Sequence, residues 1–213
     1  MIDACLGADE QRTFTIGITG ISGSGTSSAA KILAEAGGFI VSADMLVHTM
    51  MLKGQPAYEE ILACFGTSVI GMDDEIDRKS LGALVFGDTA RLAALESIIH
   101  PRVITETRIK IAQTKAPFAV IDAPLLIESG MHILCDSTWL ITAKQDIRIN
   151  RIIARDGLIR ETAVRRLASR KGDDTLRPYA DIIIENDGGL DTLRDKTLAS
   201  LSGMHFNLAK DCT

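Results

Sequence analysis

Positions 19–28 of the sequence read Thr19-Gly20-Ile21-Ser22-Gly23-Ser24-Gly25-Thr26-Ser27-Ser28, a glycine-rich segment with many hydroxyl side chains. An apolar run, Phe14 to Ile18, precedes it, and helix-forming residues follow it from Ala29 onward. This order predicts a buried strand, a tight turn and a helix. Glycines let the turn point its N–H groups inward, and the positive end of the helix dipole favours an anion there. The segment is therefore a candidate phosphate-binding loop.

The spacing matches the P-loop pattern G-x-x-x-x-G-K-[ST] except at one position. Gly20 and Gly25 are its two glycines, and Ser27 stands at the magnesium-binding hydroxyl. Thr26 stands where the pattern has the lysine that reaches the β- and γ-phosphates. A threonine hydroxyl donates one hydrogen bond and carries no charge. The segment alone therefore leaves two interpretations open, a phosphate loop without its lysine or a glycine-rich turn that binds nothing.

Length and composition fit one globular domain. The chain has 213 residues, 46% hydrophobic and 24% charged, with a net charge of −5, which argues against a general nucleic-acid binder. No apolar run is long enough to span a membrane. Residues 1–12 are acidic without an apolar core, so we expect a loose extension and not a signal peptide. Four scattered cysteines favour free thiols in a reducing cytoplasm over a zinc site.

Two acidic residues follow predicted strands. Asp44 comes just after an apolar run at 39–42, and Asp122 ends another at 118–122. Ligands of an open α/β sheet bind beyond the carboxyl ends of its strands, so both carboxylates are expected to face the loop. Carboxylates there suit a magnesium ion or a substrate hydroxyl. The alternatives are that Asp44 caps a helix beginning at Met45 and that Asp122 caps a helix or turn.

The remaining pattern predicts a doubly wound, five-stranded parallel α/β sheet, with further strands at 138–142 and 181–184. Helices at 45–53, 57–65, 77–85, 88–99 and 102–114 fill the long segment between the second and third strands, with Asp88 capping the fourth of them. We interpret about 45–116 as a helical insertion that covers an acceptor substrate. The core is then about 13–44, 117–154 and 178–201 of a single domain that spans 1–213.

An arginine-rich segment occupies about 155–177. The simpler interpretation is a solvated basic helix. The functional interpretation is a mobile lid that brings guanidinium groups onto ATP phosphates. Its basic side chains are Arg155, Arg160, Arg165, Arg166, Arg170, Lys171 and Arg177.

Further motifs run along nearly the whole chain, from about Ile16 to Leu201. They are Gly17-Ile18-Thr19-Gly20 with Gly23-Ser24-Gly25, Ala43-Asp44, Ile76-Asp77-Arg78-Lys79-Ser80-Leu81 with Val85-Phe86, His100-Pro101, Ile121-Asp122-Ala123-Pro124-Leu125-Leu126 with Glu128-Ser129-Gly130, Ala154-Arg155-Asp156-Gly157, and Ala180-Asp181 with Asn186. In this order they resemble the dephospho-coenzyme A kinase family. The run D-x-P-L-L-x-E-S-G, with H-P and R-D-G, is more specific than the loop alone.

The resemblance implies a P-loop kinase fold with a core, a helical acceptor-binding part and a lid. It implies transfer of the ATP γ-phosphoryl group to the ribose 3′-hydroxyl of dephospho-coenzyme A, the last step of coenzyme A synthesis. ATP is then a co-substrate and Mg²⁺ is required. The expected protein is cytoplasmic, a monomer or weak homo-oligomer, with a small-molecule substrate and no nucleic-acid or membrane partner.

The resemblance also implies a role for individual residues. Asp44 is the candidate base, Asp122 assists at the metal or the acceptor, and Ser27 holds Mg²⁺. The phosphate cradle is Gly20, Ile21, Ser22, Gly23, Ser24, Gly25, Thr26 and Ser27. The lid charge comes from Arg155, Arg166 and Arg170, and Asn186 lies near the adenine. The acceptor site contains Asp44, Arg78, His100, Arg102, Leu125 and Glu128.

Two alternatives stay open, and the departure at Thr26 supports only the first of them. Thr26 replaces the loop lysine, and Arg170 stands where the family usually has glutamine, so we hypothesise that Arg170 supplies the lost charge. The first alternative is a weak or inactive homologue that still binds a nucleotide or coenzyme A. The second is a P-loop kinase for another small molecule, such as a nucleoside or sugar. Ile21, Ser22 and Ser42 also differ from the residues usual in the family.

Overall fold

The computed structural model describes residues 12–168 and 172–204. The predicted N-terminal extension, most of the C-terminal tail and Arg170 lie outside these ranges. Five parallel strands form one sheet in the order β2-β3-β1-β4-β5. They are β1 (Phe14–Thr19), β2 (Phe39–Ser42), β3 (Phe118–Asp122), β4 (Ser137–Thr142) and β5 (Ile182–Glu185). The predicted α/β class and the five strands are confirmed.

Helices connect the strands. Those in the described residues are α1 (Thr26–Glu35), α2 (Ala43–Met50), α3 (Pro56–Phe65), α4 (Arg78–Val85), α5 (Thr89–Gln113), α6 (Gln145–Asp156), α7 (Arg160–Ala168), α8 (Asp173–Leu176) and α9 (Leu190–Ser202). In the part of the chain that the structure covers, none of them has the length and apolarity needed to cross a membrane.

The three central strands, β1, β3 and β4, are buried on both faces, and most of their side chains are apolar or small. On one face, Ile16 and Ile18 of β1 and Trp139 of β4 are fully buried against α1 and α9. On the other face, Ile121 of β3 packs into a second apolar core with α2 to α5. Strand order reverses at β1, between β3 and β4. The loop after β1 therefore leaves the sheet at the point where α/β folds bind ligands.

The two helices predicted at 88–99 and 102–114 are one continuous helix, α5, so that boundary was wrong. Pro101 lies inside it and removes one intrahelical hydrogen bond. Ile99 and Val103, on either side of Pro101, are both buried in the same core, and this shared packing holds the two halves in line. Asp88 caps the helix as predicted, accepting hydrogen bonds from the N–H groups of Ala90 and Arg91.

The start of α2 also differs from one prediction. The helix begins at Ala43, and its cap is Ser42, whose hydroxyl accepts a hydrogen bond from the N–H of Met45 at 3.4 Å. Asp44 is therefore not the helix cap. It lies in the first turn, exposed, where its negative charge is favourable to the helix dipole and its carboxylate is free to face the sheet edge.

Candidate active site

The glycine-rich loop joins β1 to α1 in the conformation that a phosphate cradle needs. Gly23 and Gly25 have φ angles of 83° and 105°, which L side chains rarely adopt. A Cβ on Gly25 would also collide with Nδ2 of Asn186. Both the backbone angle and the lack of space therefore require glycine at this position. In the described residues, the N–H groups of Gly23, Gly25, Thr26 and Ser27 have no hydrogen-bond partner. They are available to an anion.

Thr26 opens α1, where the P-loop pattern has lysine. The residue is half-buried, and its methyl carbon lies 3.0 Å from the position that a Cβ on Gly20 would take. The methyl thus packs toward the base of the loop. Lys31, five residues further along α1, is exposed.

The strand ends bring Asp122, Asp44 and Ser27 together. Asp122 pairs in register with Ile18 of β1 and Ser42 of β2, so it lies between the two segments that carry Ser27 and Asp44. Burial raises the pKa of Asp122, and the negative charge of Asp44 raises that pKa further. A hydrogen bond from the Ser27 hydroxyl opposes both effects. Within residues 12–168 and 172–204, no cation is among the causes that shift this pKa, so the two carboxylates repel each other there.

The donor set fits a magnesium ion. Among the described residues, no cluster of three His, Cys, Asp or Glu side chains exists that would hold a metal without help. Mg²⁺ prefers oxygen ligands and is usually held by one or two carboxylates, with waters and substrate phosphates completing its shell. The hydroxyl of Ser27 and the carboxylate of Asp122, next to a loop with free N–H groups, match that requirement.

A pocket of about 240 Å³ opens beside these carboxylates, and we refer to it as the Asp44 pocket. Its walls come from α2, α5 and the segment after β3. Its lining includes Asp44, Val47, Glu96, Ile99, His100 and Leu125. Among the described residues, three larger cavities, of about 450, 580 and 640 Å³, contain neither Asp44 nor any residue of the loop.

The acceptor residues predicted from the sequence divide into two groups. Asp44, His100 and Leu125 line the Asp44 pocket. Arg78, Arg102 and Glu128 do not. Arg102 instead donates to the Ile98 carbonyl at 2.6 Å and forms an ion pair with Glu60, joining α5 to α3.

Glu96 and Ser129 line the same pocket and were missed. The helical spacing of Leu92, Glu96, Ile99 and Val103 was a usable signal for one wall of the pocket, because these residues share one face of α5. Splitting α5 into two helices at Pro101 hid that continuity.

Two of the predicted lid arginines converge on one carboxylate. Asp156 accepts hydrogen bonds from Arg155 at 2.7 and 2.9 Å and from Arg166 at 2.7 Å. These bonds, chiefly that from Arg155, lower the pKa of Asp156, and the same bond raises the pKa of Arg155. Arg155 also lies 3.5 Å from the Ser22 hydroxyl, at the rim of the loop. Arg170 lies outside the described residues, so its compensating role stays a prediction.

Asn186 is buried against the loop, with an exposed fraction of 5%. Its Nδ2 donates to the Ser24 carbonyl at 2.7 Å, and its Oδ1 accepts from Arg151 at 3.4 Å. These contacts give it a place at the back of the loop, while the adenine contact implied by the resemblance stays a prediction. Arg151 was not among the predicted site residues. Its position on α6, one helical turn before Arg155, was the signal available.

Comparison with known proteins supports the resemblance. The family described as dephospho-CoA kinase matches residues 14–192. A dephospho-CoA kinase of Carboxydothermus hydrogenoformans is 34% identical over 87% of this chain and 92% of its own. The crystal structure of TT1252 from Thermus thermophilus has a TM-score of 0.79 at 32% identity, covering 90% of this chain and 98% of its own. A dephospho-CoA kinase from Campylobacter jejuni has a TM-score of 0.64 at 26% identity, covering 88% and 95%.

The match extends from the start of β1 into α9, so it includes the loop, both strand-end carboxylates and the arginine-rich segment. The chain therefore belongs to the dephospho-CoA kinase family.

Proposed function

We propose that this chain transfers the γ-phosphoryl group of ATP to the ribose 3′-hydroxyl of dephospho-coenzyme A. The observation that carries the proposal is the placement of three features at one edge of the sheet. A loop with free N–H groups, a pair of carboxylates and the Asp44 pocket meet there. Family membership makes ATP the co-substrate and the proposed reaction a kinase reaction.

The arrangement suits phosphoryl transfer, in which positioning and electrostatic stabilisation do most of the catalysis. The phosphates of ATP would lie against the N–H groups of Gly25, Thr26 and Ser27 at the start of α1. Asp44 lines the pocket and is exposed, so its carboxylate is the candidate acceptor for the proton of the attacking hydroxyl. Pocket residues His100 and Leu125 would contact the acceptor.

Magnesium is part of this proposal. Ser27 and Asp122 would hold it, with Asp44 as the second carboxylate nearby. The ion would neutralise charge on the β- and γ-phosphates. Burial, and after it the negative charge of Asp44, raises the pKa of Asp122, and a cation bound here would offset both effects.

The absence of the loop lysine favours one alternative, a homologue that binds a nucleotide or coenzyme A with weak or no catalysis. Thr26 cannot supply charge to the γ-phosphate. Arg155 and Arg166 carry charge near the rim of the loop, but both are ion-paired with Asp156. An arginine released from Asp156 onto the phosphates would take over part of the missing charge, as would Arg170.

One assay separates these possibilities. We would measure formation of coenzyme A from ATP, Mg²⁺ and dephospho-coenzyme A for the wild-type protein and for Thr26→Lys. Turnover by the wild type is expected, and the lysine is expected to raise it by about 10- to 100-fold, the value of one charged hydrogen bond.

A wild type that binds ATP without turnover, together with an active Thr26→Lys variant, would establish the binding alternative. Turnover with a nucleoside or sugar in place of dephospho-coenzyme A would contradict the proposed acceptor. The variant Thr49→Lys serves as a control, because it adds the same charge on an exposed position of α2.

The proposal includes a cytoplasmic location and a monomeric or weakly self-associating state. In the described residues, Cys64 and Cys135 are free thiols, which fits a reducing compartment. Cell fractionation and sedimentation of the purified protein test the two statements.

A further inference from the structure

Arg151 touches the phosphate loop from behind through neutral oxygen atoms. Its Nη1 donates to the carbonyls of Gly23 and Ser24, at 3.3 and 3.5 Å. Its Nη2 donates to the Gly188 carbonyl at 2.9 Å and to Oδ1 of Asn186. The guanidinium thus connects the loop to the turn after β5.

These contacts determine which way the loop faces. The C=O and N–H of one planar peptide unit point in opposite directions. The Ser24 carbonyl is held by Asn186 at 2.7 Å and by Arg151, so the N–H of Gly25 points to the other side. That N–H has no partner in the described residues, and it is one of the groups available to a phosphate.

Arg151 also differs in charge environment from its neighbours on α6. Arg148 is paired with Asp173 at 3.1 Å, and Arg155 is paired with Asp156. Within the described part of the chain, Arg151 has no carboxylate partner, and all its acceptors are uncharged. As far as the described ranges extend, a half-buried positive charge without a counter-ion therefore lies against the loop backbone.

We propose that Arg151 is the positioning residue of the phosphate loop in this chain. With Asn186, it keeps the Ser24 carbonyl turned away from the cradle, so that the Gly25 N–H faces the phosphates. Its un-neutralised charge adds to the positive potential of a loop that lacks lysine at Thr26. The inference rests on the proposed function only in taking the loop as a phosphate site, and it requires no particular acceptor.

The test is direct binding of three ligands, inorganic tripolyphosphate, ATP and adenosine, measured by titration calorimetry without acceptor. Arg151→Gln is expected to lower the affinity for tripolyphosphate and the affinity for ATP by the same factor, about 10- to 100-fold. The reason is the loss of a charged hydrogen-bond donor to the loop. Adenosine affinity is expected to stay unchanged. Arg194→Gln is the matched control, since Arg194 is paired with Glu35 on the outer surface of α9 and α1.

The pattern of losses decides the role. A variant that loses ATP affinity but keeps tripolyphosphate affinity would show that Arg151 contacts the base, and the proposal would be overturned. Unchanged affinity for both would overturn it as well, as would a wild type that does not bind tripolyphosphate.

If Arg151→Gln does not fold, Arg151→Lys decides the question. It keeps the charge but has no planar fork to hold Ser24 and Gly188 together. We expect Arg151→Lys to bind tripolyphosphate more weakly than the wild type does. An affinity for tripolyphosphate equal to that of the wild type would contradict the positioning role. Coenzyme A formation is measured separately for the wild type. If the wild type binds ATP and tripolyphosphate but forms no coenzyme A, the proposed kinase reaction is contradicted, whereas the proposed role of Arg151 is not.

Discussion

The phosphate-loop edge and the Asp44 pocket are built in different ways. At the edge, backbone groups are held by directional polar contacts, such as the bond from Asn186 to the Ser24 carbonyl. The pocket is lined largely by apolar side chains such as Val47, Ile99 and Val103. Hydrogen bonds specify position within tenths of an ångström, whereas apolar packing specifies shape and volume. Changes at the edge should therefore alter turnover, and changes in the pocket should alter acceptor affinity.

The largest expected effect is at Asp44, where the two regions meet. Asp44→Asn should lower kcat by about 10²- to 10⁴-fold, the contribution typical of a general base. The amide keeps the size of the side chain, so affinity for ATP should remain within about threefold of wild type. Steady-state kinetics with both substrates checks this.

The control is Asp88→Asn, because asparagine caps a helix as well as aspartate does. A rise in the acceptor KM at unchanged kcat would assign Asp44 to the pocket and remove it from the catalytic edge.

The next largest effect is expected at Asp122, where a substitution should lower activity but raise the stability of the fold. Asp122→Asn should lower activity by about 10- to 100-fold through weaker metal binding. It should also raise the Tm at neutral pH, because the wild-type carboxylate is buried beside another negative charge.

The pH dependence follows from the raised pKa of Asp122. The folded state binds its proton more tightly than the unfolded state, so this group stabilises the fold at pH below its ordinary pKa of 3.8 and loses that stabilisation as pH rises through the folded pKa. Wild type and Asp122→Asn should therefore melt together in acid and diverge toward neutral pH. Equal Tm values at neutral pH would show that the carboxylate is not destabilising.

The smallest expected effects are on the KM for the acceptor, and they come from substituting two nearby residues of α5. His100 lines the pocket, whereas Arg102 is paired with Glu60. His100→Ala should raise the KM for dephospho-coenzyme A about tenfold, the value of one contact of about 1.4 kcal/mol. Arg102→Gln should change it less than about twofold, since exposed ion pairs contribute little. The reverse ranking would show that the acceptor extends out of the Asp44 pocket toward α3.

The sequence predicted the loop edge better than the pocket, for a physical reason. Buried parallel strands are continuous apolar runs, and glycines at required positive φ angles mark the turn, so local pattern is sufficient there. Asp44 and Asp122 followed from the rule that ligands bind beyond strand ends.

The pocket depends on which faces of distant helices meet, and local pattern does not contain that information. Pro101 looked like a helix boundary, yet the packing of Ile99 and Val103 overrides it. Arg102 lies two residues from His100 and therefore points from another side of α5. Arg151 was missed because its partners, Ser24 and Gly188, are far from it in the chain.

Trp139 gives the protein an internal optical reporter. It is the chain's single tryptophan, and it is fully buried in β4, with its indole N–H donating to Ser137 at 3.2 Å. Its emission should therefore be blue-shifted in the native state and move to longer wavelength when the sheet comes apart. Trp139 does not line the Asp44 pocket and is packed in the apolar core with α1 and α9, so its fluorescence should report mainly on global unfolding. Each variant's folding is thus measurable independently of its chemistry, without a dye or label.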